Sequence, residues 1–132
     1  MTAVFLETSA LLRALFGEEG GSEVSDRLVR ADRIVASRLL KVETERAIHR
    51  RALDDADFEK HVAAMEHEAR ELWARMDLVE LSREICDAAG RIAPRLRLRA
   101  LDALHLATFR RVQEVDPAIE MMTFDERLRA AL

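Results

Sequence analysis

The chain has no tyrosine, one tryptophan, one cysteine, two prolines and four glycines among its 132 residues. Each shortage excludes something. With aromatics at 5%, the stacking platforms of sequence-tolerant single-strand binders are not on offer. A lone Cys86 excludes an intrachain disulfide and points to a reducing compartment, where it packs as a small hydrophobe. No apolar run approaches the ~20 residues that a membrane-spanning helix needs. Glu7 and Arg13 interrupt the apolar N-terminus and no basic stretch precedes it, which argues against a secretory signal. The expectation is a cytoplasmic protein without membrane contact. Positive charge is not in excess either. A net charge of −4 argues against a bulk basic surface for nucleic acid, while leaving room for a local basic rim around an acidic centre. The glycine-rich phosphate loops and the G-x-S-x-G elbow are missing. Gly17-Glu18-Glu19-Gly20-Gly21 is acidic and would repel phosphate.

Hydrophobic residues make up 49% and charged residues 35% of the chain, enough for one core in one domain with a solvated surface. Short apolar runs at 3–6, 33–36, 77–81 and 119–122 read as strands. Helical patterns lie between them, at 9–16, 22–31, 38–53, 56–75, 83–93 and 101–115, with a last short helix near Asp125. Gly17 reads as a helix stop, Ser37 and Ser82 as N-caps. Strands alternating with helices predict an α/β domain: a short parallel sheet of about four or five strands with helices on both faces. The pair of helices within 38–75 forms a helical hairpin between strands two and three, placed to shape a groove or a subunit contact. Trp73 and Met76 read as core or subunit contact.

In an open parallel sheet, ligands bind beyond the carboxyl ends of the strands. Glu7 follows the first strand and Asp125 the last. Two further acids, Glu43 and Asp102, sit inside apolar helical patterns. Each has an ordinary reading: Glu7 a loop acid, Asp102 and Asp125 helix caps, Glu43 a surface acid paired with Arg46 or Arg50. Together they suggest a site, because four carboxylates at one sheet edge repel unless a cation compensates them. Oxygen ligands favour a hard ion, Mg²⁺ or Mn²⁺, and such a site suits hydrolysis of phosphodiesters. Arginines cluster at 46, 50 and 51, at 95, 97 and 99, and at 110 and 111. Arg46, Arg50 and Arg99 are candidates for holding the phosphates of such a substrate. His105, three residues after Asp102, is either a general acid or base or a packing residue with a satisfied ring nitrogen.

The motifs Val4-Phe5-Leu6-Glu7-Thr8-Ser9, Glu43 with Arg46, Leu101-Asp102-Ala103-Leu104-His105-Leu106-Ala107 and Thr123-Phe124-Asp125 resemble the PIN domain, and within it the VapC toxins of bacterial toxin–antitoxin pairs. The resemblance spans essentially the whole chain. It implies a metal-dependent endoribonuclease, usually dimeric, held inactive by a VapB-type antitoxin. Carried over by position, the acidic quartet falls on Glu7, Glu43, Asp102 and Asp125, with Glu7, Asp102 and Asp125 as metal ligands. Thr123 matches the assisting hydroxyl, and Ser9 matches the residue that buttresses the first acid.

One position departs from the pattern. The family almost always has aspartate where this chain has Glu7. One added methylene carries the carboxylate about 1.5 Å further. Mg²⁺ demands near-ideal octahedral geometry, and a misplacement of about 1 Å can cost roughly 10²-fold in rate. The alternative expectation is therefore a PIN-fold binding module with an attenuated or disabled site that still grips antitoxin or RNA.

Overall fold

The computed structural model describes residues 2–132. The chain runs β1 (Ala3–Leu6), α1 (Thr8–Phe16), α2 (Gly21–Arg30), β2 (Arg33–Ser37), α3 (Leu39–Asp54), α4 (Ala56–Glu59) and α5 (Val62–Ala74). It continues through β3 (Met76–Val79), α6 (Arg83–Ala89), α7 (Ala100–Gln113), β4 (Glu120–Met122) and α8 (Glu126–Arg129). The four strands form one parallel sheet in the order β3-β2-β1-β4. The domain is thus the α/β sheet with flanking helices that the alternation predicts.

The alternation of side chains along β1 and β2 divides the core in two. Val4, Leu6, Ile34 and Ala36 face a layer built from α1, α2, α3 and α5. Phe5 and Val35 face the opposite way, onto Leu106 and Phe109 of α7 and Leu128 of α8. Phe5 and Phe109 meet edge to face at 5.3 Å between ring centres. Trp73 and Met76 are both buried in the first layer. Among the described residues no helix is long and apolar enough to cross a membrane.

Most element ends fall within two residues of the expected ones, and two differ by more. The helix expected over 56–75 is broken at Lys60-His61 into α4 and α5. Asp55 caps α4 by accepting from the amides of Asp57 and Phe58, and Phe58 turns inward onto Phe16 at 5.7 Å. Burying that ring requires the chain to change direction there. The helix expected over 83–93 stops at Ala89. Pro94 disfavours helical backbone at the residue before it, and Ala93 takes φ +44°.

The strand order fixes where a ligand can approach. The chain steps from β1 to β2 and β3 on one side of the sheet, then crosses back from β3 to lay β4 on the other side of β1. The order therefore reverses at β1, and the crevice beyond the carboxyl ends of β1 and β4 is the topological switch point.

Candidate active site

Glu7 leaves β1 and becomes the N-cap of α1, with extended backbone at φ −97° and ψ 152°. Aspartate, asparagine or serine would ordinarily hold that position. The longer glutamate curls back so that one oxygen, Oε2, takes three donors: the Ser9 amide at 3.1 Å, the Ser9 hydroxyl at 2.5 Å and the Thr123 hydroxyl at 2.7 Å. The Glu7 side chain is thus turned into the junction between β1 and β4. Ser9 Oγ accepts from the Phe124 amide at 2.8 Å, and Thr123 Oγ1 accepts from the Asp125 amide at 3.0 Å. Ser9 and Thr123 therefore sew the turn after β1 to the turn after β4.

Asp125 caps α8 through Oδ1, which accepts from the amides of Arg127 at 2.9 Å and Leu128 at 3.0 Å. Asp102 stands in the first turn of α7, where Oδ2 accepts from the Arg99 amide and from Arg99 Nε, both at 3.4 Å. The guanidinium reaches on toward Asp125 Oδ2 at 4.0 Å. Both helix-cap readings of these aspartates are geometrically real. They leave the second oxygen of each carboxylate to do something else.

Glu43, on α3, does not pair with Arg46 or Arg50. Its Oε1 accepts from Thr8 Oγ1 at 2.6 Å and meets His105 Nε2 at 2.5 Å. His105 is the packing residue with one ring nitrogen satisfied, and its side chain is fully buried. Burial pushes the Glu43 carboxyl up, but the hydrogen bond and the electrostatic attraction from His105, the bond from Thr8 and the positive charge of Arg99 outweigh it and hold the carboxyl below the ordinary range.

A common pattern emerges. Each acid has one oxygen held by protein donors, and the other, Glu7 Oε1, Glu43 Oε2, Asp102 Oδ1 or Asp125 Oδ2, takes no protein hydrogen bond. Among the described residues, only Trp73 Nε1 and His105 Nδ1 are buried side-chain polar atoms without a partner, so these four oxygens keep access to solvent. The acids share one edge through common neighbours: Thr123 touches Glu7 and Asp125, Arg99 touches Asp102 and Asp125, and Thr8 follows Glu7 and holds Glu43. Among the described residues no three Asp, Glu, His or Cys side chains stand close enough together to hold a metal ion as they lie. Oxygen-only donors with one free lone-pair face each suit a hard divalent ion. Arg99 now stands among them as the neutralising charge.

Arg46 and Arg50 lie three and seven residues beyond Glu43 on α3, both exposed, a spacing that places them along one helix face with it. The structure thus sets Arg99 at the acids and Arg46 and Arg50 on the helix leading away from them. Sequence reasoning missed Thr8 as a partner of Glu43. Its one signal was its place beside Ser9 in the hydroxyl pair that follows Glu7.

The match to a PIN domain family model covers residues 4–131. The chain belongs to the PIN domain family. Ribonuclease VapC45 of Mycobacterium tuberculosis is 31% identical to this PIN domain over 128 residues, spanning 97% of this chain and 88% of that protein. The crystal structure of PAE2754 from Pyrobaculum aerophilum superposes on this PIN domain with a TM-score of 0.69 at 18% identity, over 98% of this chain and 84% of that one. A chain of a toxin–antitoxin complex from Klebsiella pneumoniae superposes with a TM-score of 0.65 at 17% identity, over 92% of this chain and 86% of that one. At such identities the two structures speak for the fold.

Proposed function

We propose that this PIN domain is a divalent-cation-dependent endoribonuclease, the toxin of a VapBC-like toxin–antitoxin pair, hydrolysing RNA phosphodiester bonds. The observation that carries this reading is the set of four carboxylates at the switch point, each with one oxygen pinned by the protein and one left open. The relative named a ribonuclease, aligned over nearly the whole of both chains, supports the reaction class. The fold shared with a chain of a toxin–antitoxin complex supports an antitoxin as partner. We place the protein in the cytoplasm, as a homodimer, its site covered by a VapB-type antitoxin until released.

Glu7, Asp102 and Asp125 would hold Mg²⁺ or Mn²⁺ through their open oxygens. The ion supplies neutralisation of the phosphate charge and activation of water for attack on phosphorus. The chain's own residues do the rest. Glu43, kept ionised near neutrality, is placed to accept a proton through Oε2. Ser9 and Thr123 fix Glu7, and the α8 amides fix Asp125. Arg99, which stands beside Asp102 and Asp125, would be placed to meet a phosphate bound there, and Arg46 and Arg50 would extend the track along α3.

A second reading keeps the fold but not the turnover: a binding module with a weakened centre. It draws on the three donors gathered on Glu7 Oε2, which turn that carboxylate toward its own helix. Incubating the purified chain with total RNA, in Mg²⁺, Mn²⁺ or chelator and beside Asp102→Asn and Glu7→Asp, separates the two. The nuclease reading expects metal-dependent cleavage that Asp102→Asn abolishes. Cleavage by Glu7→Asp alone would establish the binding module instead.

A further inference from the structure

His105 is a fully buried side chain with no assigned task, and its surroundings define one. Its Nε2 stands 2.5 Å from Glu43 Oε1, the same oxygen that takes the Thr8 hydroxyl at 2.6 Å. Its Nδ1 is buried with no partner. A proton on Nδ1 would be a buried donor with nothing to accept it, so the ring carries its proton on Nε2 and donates to the carboxylate. That donation fixes the orientation of the acid. Two donors on Oε1 fix the Glu43 carboxylate in rotation and leave Oε2 unbonded and open to solvent. His105 also lies three residues after Asp102 on α7, while Glu43 lies on α3. The ring is therefore the strut that sets the spacing between two acids on different helices.

We propose that His105 is the positioning residue for Glu43: donation from Nε2 to Oε1, opposite Thr8, holds the carboxylate in the geometry that the cation and the attacking water require. This rests on the nuclease reading given above. Partners that orient the acids and histidines of a metal site commonly change metal affinity or activity by about 10–100-fold when removed. A histidine that only fills space would tolerate any replacement of similar size and polarity.

The test compares His105→Gln, His105→Asn and His105→Leu in the full chain, each also combined with Glu43→Gln. Gln places an amide N–H where Nε2 now stands, and Asn does not reach it. Mn²⁺ affinity is measured by calorimetry and RNA cleavage by its kcat and KM, with circular dichroism reporting folding. The expected result is a loss of about 10–100-fold in kcat and a clear loss of Mn²⁺ affinity for Asn and Leu, with KM little changed. Gln should restore most of both, and the loss should vanish in the Glu43→Gln background. Should the Leu variant fail to fold, the contrast of Gln with Asn decides alone. Equal behaviour of Gln and Asn, or a loss that persists undiminished without Glu43, overturns the proposal while leaving the nuclease reading intact. A wild-type chain that neither binds Mn²⁺ nor cuts RNA overturns both.

Discussion

Thr123→Val tests whether the hydroxyl between β4 and α8 carries the weight the geometry gives it. Threonine and valine have nearly the same shape, so the change removes polar contacts and little packing. The hydroxyl donates to Glu7 Oε2 at 2.7 Å and accepts from the Asp125 amide at 3.0 Å, with Thr123 and Glu7 each only 6% exposed. A hydrogen bond to a charged group contributes about 1.5–3 kcal/mol and a neutral one about 0.5–1.5 kcal/mol. Glu7 keeps both donors from Ser9, so the low end of the first range applies, and the loss should be about 2–3 kcal/mol. For a domain of this size that corresponds to a fall in Tm of about 8–12 °C. Thermal melts and urea titrations give the value. A double-mutant cycle with Glu7→Gln gives the coupling, expected at about 1 kcal/mol. A fall of less than about 2 °C, or strict additivity in the cycle, would refute the claim that Thr123 fixes the first acid.

Other perturbations follow from the same geometry. Glu43 is held below its ordinary value of 4.5, so its contribution to stability is complete above that pH and is lost as pH falls through the lower folded value. An acid titration of wild type against Glu43→Gln should show the variant losing less stability below pH 4.5. Gly20 has φ +84°, and a β-carbon there would lie 2.6 Å from Phe124 Cζ. Gly20→Ala should therefore cost about 1–3 kcal/mol in a denaturant melt and push Phe124 off the Arg13 guanidinium that now sits 4.4 Å from its ring centre. Arg99→Gln removes the charge that now compensates Asp102 and Asp125. Calorimetry should find that this variant binds Mn²⁺ more tightly than wild type, because no side chain has to be displaced.

The strands and their alternation were legible because each is a short β-branched or apolar run closed by a polar residue. Glu7 and Asp125 were legible because the rule for parallel sheets says where such residues point. The break between α4 and α5 was not, since no glycine or proline marks Lys60-His61 and the cause is a ring, Phe58, buried against a residue 42 positions earlier, Phe16. The partner of Glu43 was hidden for the same reason. Helical spacing offered Arg46 and Arg50, whereas the fold supplied His105 from 62 residues away. The cap contacts of Asp102 and Asp125 leave the site reading open, because a carboxylate has two oxygens and each helix uses one. Arg99 read as a contact for substrate from its place in a basic cluster, and only the folded chain sets its guanidinium against two of the acids.

The most direct test of the account is a crystal of the chain soaked in Mn²⁺ and measured at the manganese absorption edge. The account predicts an anomalous peak at the switch point, with Glu7, Asp102 and Asp125 as its protein ligands and the Arg99 guanidinium turned away. A peak elsewhere on the molecule, or an edge still neutralised by Arg99 with no manganese bound, would contradict it.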